Sequence, residues 1–133
     1  MTTVVDASAL AELVVFSDLG SLVDRHLRTS SGGRHIPHLA VIETTSTLRG
    51  WLRGRRITEE RATAALATLT TFPAIRWPAD QLLPRIWSLR DNLTPYDATY
   101  VALAESLDAE LVTYDDRLRR SLSGVSKVRI VSP

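Results

Sequence analysis

With 133 residues, no cysteine and a formal net charge of +1, the chain has the length of one domain able to bury a core of its own. The missing thiols exclude a disulfide scaffold, a zinc–thiolate site and a cysteine nucleophile, and the small net charge excludes a uniformly basic nucleic-acid coat. No apolar run approaches the roughly 20 residues that span a bilayer, and the start, MTTVVDASAL, has no basic segment leading into a long apolar stretch, so a cytoplasmic protein with no membrane partner is expected.

Short β-branched runs alternate with longer helical patterns. The first strand, TTV at 2–4, runs into Val5 and stops at Asp6, and a helix is expected over 8–16. A second helix, 20–29, leads through Gly32 and Gly33 to a strand, RHIP at 34–37. Helices over 39–54 and 58–71 follow, the latter opening on Thr58 with Glu59 and Glu60 in its first turn. Next come a strand, AIRW at 74–77, a helix over 79–90, and a helix over 95–107 that Thr94 caps and Pro95 begins. Strand ELVT at 110–113, a short helix at 116–122 and strand VRIV at 128–131 complete the series. Such alternation needs crossover connections, hence a mostly parallel sheet of four to five strands with helices on both faces. No repeat, low-complexity tract or long linker divides 1–133, so one domain is expected.

In sheets of this kind, sites form outside the carboxyl ends of the strands. That rule selects among fifteen acidic residues. Asp6 ends the first strand, and Asp115 follows ELVT after one intervening residue, Tyr114. Each has an ordinary explanation as a helix cap, and so does Asp97, third residue of its helix after Pro95. Glu43 is harder to dismiss. It lies in HLAVIETTSTL, where helical spacing lets it share an inward face with Leu39 and Ile42. A carboxylate facing a core is rare without a partner.

Four stretches in order, VVDASAL at 4–10, the glutamate of VIETTSTL at 41–48, LTPYDATYVALA at 93–104 and LVTYDDRL at 111–118, resemble the PIN-domain ribonucleases. Within them the pattern is similar to the VapC-type toxins of bacterial type II toxin–antitoxin pairs. The resemblance covers essentially the whole chain and implies a single PIN domain over 1–133, a three-layer α/β/α sandwich. It implies metal-dependent hydrolysis of RNA phosphodiester bonds, with Asp6, Glu43, Asp97 and Asp115 as the catalytic, metal-holding acids. Thr113, in the T-x-D element, and Ser8 would support them by hydrogen bonding, and Asp116 is an extra acid beside Asp115. Ser46 stands where the family often has asparagine, a departure outside the four acids.

The donor chemistry agrees. Like charges held close together raise one another's pKa values unless a cation compensates. Hard carboxylate oxygens suit Mg²⁺ or Mn²⁺, which can acidify a bound water and neutralise a substrate phosphate. The resemblance further implies a small VapB-like antitoxin and a homodimer; Leu10, Leu13, Val14, Leu19 and Leu22 of the first two helices offer apolar surface for the antitoxin, with core burial as the commoner use of such residues.

Arginine outnumbers lysine fifteen to one, and RGWLRGRRITEER at 49–61 concentrates it. Arg49, Arg53, Arg55 and Arg56 are candidate phosphate contacts, with a solvated helix face as the plainer reading. The three histidines read as surface or hydrogen-bonded residues, because Pro37 between His35 and His38 spoils a two-histidine clamp. A phosphoaspartate protein would need a D-x-D motif, but residue 8 is serine and no lysine lies near 113–116. A catalytically silent PIN-like binding module is the other alternative; retention of all four acids argues against it.

Overall fold

The computed structural model describes residues 1–133. Its strands are β1 Thr3–Val5, β2 Arg34–Pro37, β3 Ile75–Trp77, β4 Glu110–Val112 and β5 Ile130–Val131. The helices are α1 Ala7–Val14, α2 Asp18–Arg28, α3 His38–Arg53, α4 Glu59–Thr71, α5 Leu83–Ser88, α6 Pro95–Ser106 and α7 Asp116–Ser121. All five strands join one sheet in the order β3-β2-β1-β4-β5, and every pairing is parallel. Thr3 of β1 stands opposite Arg34 on one side and Glu110 on the other.

This order positions the site. The chain leaves β1 for β2 and β3 on one side, then returns across it to β4 and β5 on the other. The strand order therefore switches at β1, and parallel sheets of this type open a crevice at the carboxyl ends of the strands flanking such a switch. Both faces of the central strands are covered: Val4, Val5, Leu111 and Val112 have no solvent exposure. Such continuous burial is the mark of a parallel strand inside a three-layer α/β/α sandwich. Helix α6 packs across β1, β2 and β4 with α5 beside it, while α1, α2, α3 and α4 pack on one another. Gly20 lets α2 approach α1, since a Cβ there would stand 2.1 Å from the Glu12 carbonyl oxygen.

Three sequence expectations change. The helix expected over 79–90 is a 3-10 turn at Asp80–Leu82 followed by α5. Pro84 is the reason: its ring clashes with the carbonyl four residues back, so a regular helix cannot run through it but can start there. Ile42 does not share the inward face of α3; it is 68% exposed, and Ala40, Thr44 and Leu48 are the buried positions. Leu10, Leu13 and Val14 are core, whereas Leu19 and Leu22 remain exposed. Beside them Phe16, at positive φ in the α1–α2 turn, is 76% exposed.

Candidate active site

Asp6 follows β1 and caps α1. Its Oδ1 accepts hydrogen bonds from Ser8 Oγ at 2.7 Å and from the Ala9 amide at 3.1 Å, while Oδ2 accepts from Thr113 Oγ1 at 2.6 Å. Thr113, with no solvent exposure, also accepts the Asp115 amide at 2.9 Å, and Ser8 Oγ accepts the Tyr114 amide at 2.9 Å. The two hydroxyls thus stitch the end of β1 to the turn after β4 and fix Asp6 between them. Burial pushes the Asp6 pKa up, the bonds from Ser8, Thr113 and Ala9 oppose the shift, and the charge of Asp115 adds to it. Ser8 and Thr113, which the resemblance offered as supports for the acids, both hydrogen-bond Asp6.

Glu43 reaches the same cleft from α3. Its Oε1 accepts the Tyr100 hydroxyl at 2.7 Å. Tyr100 is buried in α6, and burial together with the Glu43 carboxylate holds its pKa far above the ordinary phenol value, so it remains a donor. Burial raises the Glu43 pKa, the Tyr100 bond opposes this, and the charges of Asp97 and Asp6 raise it further. The sequence reading missed Tyr100. The available signal was its spacing: three residues after Asp97 on a helix, it shares that residue's face.

Asp97 and Asp115 converge on one cation. Arg117 Nη2 lies 3.2 Å from Asp97 Oδ2 and 3.3 Å from Asp115 Oδ2. Asp115 divides its labour, Oδ1 accepting the amides of Arg117 and Leu118 at the start of α7 while Oδ2 faces Arg117. At α6 the capping oxygen is Thr94 Oγ1, which accepts the Asp97 amide at 3.2 Å, so the Asp97 carboxylate is left to face Arg117. These acids line a cleft of about 480 Å³ together with Trp51, Tyr100 and Arg117.

No three acid or histidine side chains stand close enough together to hold a metal ion. The donor set nevertheless fits Mg²⁺ or Mn²⁺ in kind, being entirely hard oxygen, and these ions keep several waters and need few protein ligands. A guanidinium already shared between two of the acids shows that the cleft draws positive charge.

The remaining candidates divide. Asp116 is exposed and lies outside the cleft. Arg49, Arg53 and Arg55 are exposed at the end of α3. Arg56 has internal partners, its Nη2 lying 2.7 Å from Glu12 Oε1 and its guanidinium 3.9 Å above the Trp51 ring. His35 is a buried structural residue, accepting Trp77 Nε1 at Nδ1 and leaving Nε2 to donate to the Gly32 carbonyl.

A raised carboxylate pKa has a defined consequence for stability. Below the ordinary value of 3.8, Asp6 is protonated whether the chain is folded or not. Between 3.8 and the raised folded value, the unfolded chain has released its proton and the folded chain has kept it. Stability contributed by this group therefore falls as pH rises through that window. In metal-free buffer, Asp6→Asn should show a flatter fall of melting temperature with rising pH than wild type. Superimposable slopes would remove Asp6 from the strained set.

Residues 3–121 match the PIN domain. The chain belongs to the PIN-domain family. Among its relatives, a VapC ribonuclease of Mycobacterium bovis is 40% identical over 116 residues, covering 86% of this chain and 87% of the relative. Ribonuclease VapC1 of Mycobacterium tuberculosis is 36% identical over 129 residues, 96% of each chain. The VapBC-1 structure from nontypeable Haemophilus influenzae superposes with a TM-score of 0.65 over 99% of this chain and 98% of that one, at 14% identity, a likeness of fold. In this PIN domain, no helix is long and apolar enough to cross a membrane.

Proposed function

We propose that the chain is a Mg²⁺- or Mn²⁺-dependent ribonuclease, the toxin of a type II toxin–antitoxin pair, acting in the cytoplasm. The observation that carries this reading is the gathering of Asp6, Glu43, Asp97 and Asp115 in one cleft at the switch point of a parallel sheet. Relatives named VapC ribonucleases support it.

When bound, the divalent cation would supply an acidified water and neutralise charge on the phosphate. The residues of the chain do the rest. Ser8, Thr113 and the Ala9 amide hold both Asp6 oxygens in place, so the carboxylate meets its ligand without first being ordered. Tyr100 fixes Glu43 through Oε1, and the raised proton affinity of Glu43 suits it to take a proton from an attacking water. Asp97 offers Oδ2 from α6 and Asp115 offers Oδ2 from the start of α7. The exposed arginines at 49, 53 and 55 suit phosphate contacts along the strand, which position RNA without reading its bases. The exposed side chains of Phe16, Leu19 and Leu22 are apolar surface suited to a small VapB-like antitoxin, and a homodimer is the expected assembly.

Incubating the purified chain with mixed RNAs in EDTA, Mg²⁺ or Mn²⁺, then mapping the ends produced, tests the reading. Cleavage only with a divalent ion is expected. Equal cleavage in EDTA would overturn the metal dependence, and no cleavage in either metal would overturn the reading and favour the catalytically silent binding module.

A further inference from the structure

Arg117 is the only basic residue lining the acidic cleft. A single nitrogen, Nη2, is shared between Asp97 Oδ2 on α6 and Asp115 Oδ2 at the start of α7, at 3.2 and 3.3 Å. The oxygen it meets on Asp115 is the one not committed to helix capping. The arginine side chain is 63% exposed, and its polar partners are these two acids. Its guanidinium thus covers two oxygens that the proposed catalytic cation needs, and covers them from a flexible, solvent-reaching stem.

We propose that Arg117 is a built-in competitor for the divalent cation. In the metal-free protein it neutralises the Asp97–Asp115 pair; for the metal to take those oxygens, the guanidinium swings out into solvent. The inference rests on the metal-dependent reading above and adds a regulatory residue to it. Exposed ion pairs are individually weak, and a divalent ion attracts the same oxygens with twice the charge. Arg117 therefore sets the metal concentration at which the site fills, without closing the site outright. Removing its charge also removes a repulsion between the guanidinium and the incoming ion, so both effects act in the same direction.

The test is a calorimetric titration of Mn²⁺ into the full chain, without RNA and at fixed ionic strength. Arg117→Gln should bind Mn²⁺ roughly three- to tenfold more tightly than wild type, the scale of one to two weak ion pairs. Arg117→Lys, which keeps the charge, should fall between the two. Arg120→Gln makes the same charge change on α7 away from the cleft and should stay within about twofold of wild type. Binding by Arg117→Gln with no detectable binding by wild type would support the competition in its strongest form. Equal or weaker binding by Arg117→Gln, with wild type binding normally, would overturn this inference and leave the metal-dependent reading standing. A tightening matched by Arg120→Gln would reduce it to net charge and likewise overturn it. Absence of Mn²⁺ binding in every variant would overturn both.

Discussion

Single replacement of Asp6, Glu43, Asp97 or Asp115 by its amide is expected to lower metal-dependent RNA cleavage by on the order of 10²-fold or more, the scale of a placed catalytic group. That corresponds to about 2.7 kcal/mol of lost transition-state stabilisation. The amide keeps the size of each side chain, so packing changes little and charge is the main variable. The four should not behave alike in detail. Asp6 and Glu43 are held by fixed hydrogen bonds from Ser8, Thr113 and Tyr100, and their loss should not be rescued by more metal. Asp97 and Asp115 face a solvent-exposed arginine, and their amides should recover part of their activity at high Mg²⁺, because weaker metal binding is then the main defect. Rates across a Mg²⁺ series, with melting curves to confirm folding, separate the cases. Any amide that matches wild-type turnover at limiting Mg²⁺ identifies a residue to be struck from the site.

What the sequence made legible and what it concealed follow from the range of the forces involved. The five strands are short β-branched runs bounded by turns and caps, so each could be read from neighbours a few residues away. The same holds for Asp6, Thr94 and Asp115 as helix starts. Their convergence could also be anticipated, because parallel topology sends every strand's carboxyl end to one edge. The partners of the acids were not legible. Tyr100 meets Glu43 across 57 positions of sequence, and Arg56 meets buried Glu12 across 44; only packing brings these pairs together. Arg117 was hidden differently. It lies two residues from Asp115, inside the quoted motif LVTYDDRL, but its approach to Asp97 depends on where α6 ends up relative to α7. Apolar residues were misplaced for a related reason. Leu13 and Leu22 look alike in a helical pattern, and only the docking of α1 beneath α2 decides that the first is buried and the second exposed.

The hydroxyl of Thr113 offers the sharpest test that the site and the fold share their supports. It donates to Asp6 Oδ2 at 2.6 Å and accepts the Asp115 amide at 2.9 Å, in a position with no solvent exposure. Thr113→Val keeps the shape and β-branching of the side chain, so no cavity opens and the backbone preference is unchanged. What is lost is a donor to a buried carboxylate and an acceptor for an amide. Leaving such groups unpaired costs about 1–3 kcal/mol, and the charge on Asp6 places the loss toward the upper end. For a chain of this size the melting temperature should drop on the order of 5–10 °C. With one of the bonds that lowers its pKa removed, Asp6 is pushed still higher by burial, so the penalty should grow as pH rises and shrink in acid. Thr113→Ser restores the hydroxyl at the loss of one buried methyl and should recover most of the activity, even where its stability is slightly reduced. A Thr113→Val protein that melts with wild type and cleaves RNA at the wild-type rate would mean that Asp6 needs no such support. In that case the short bond between the ends of β1 and β4 would be a consequence of the fold, with no part in preparing the site.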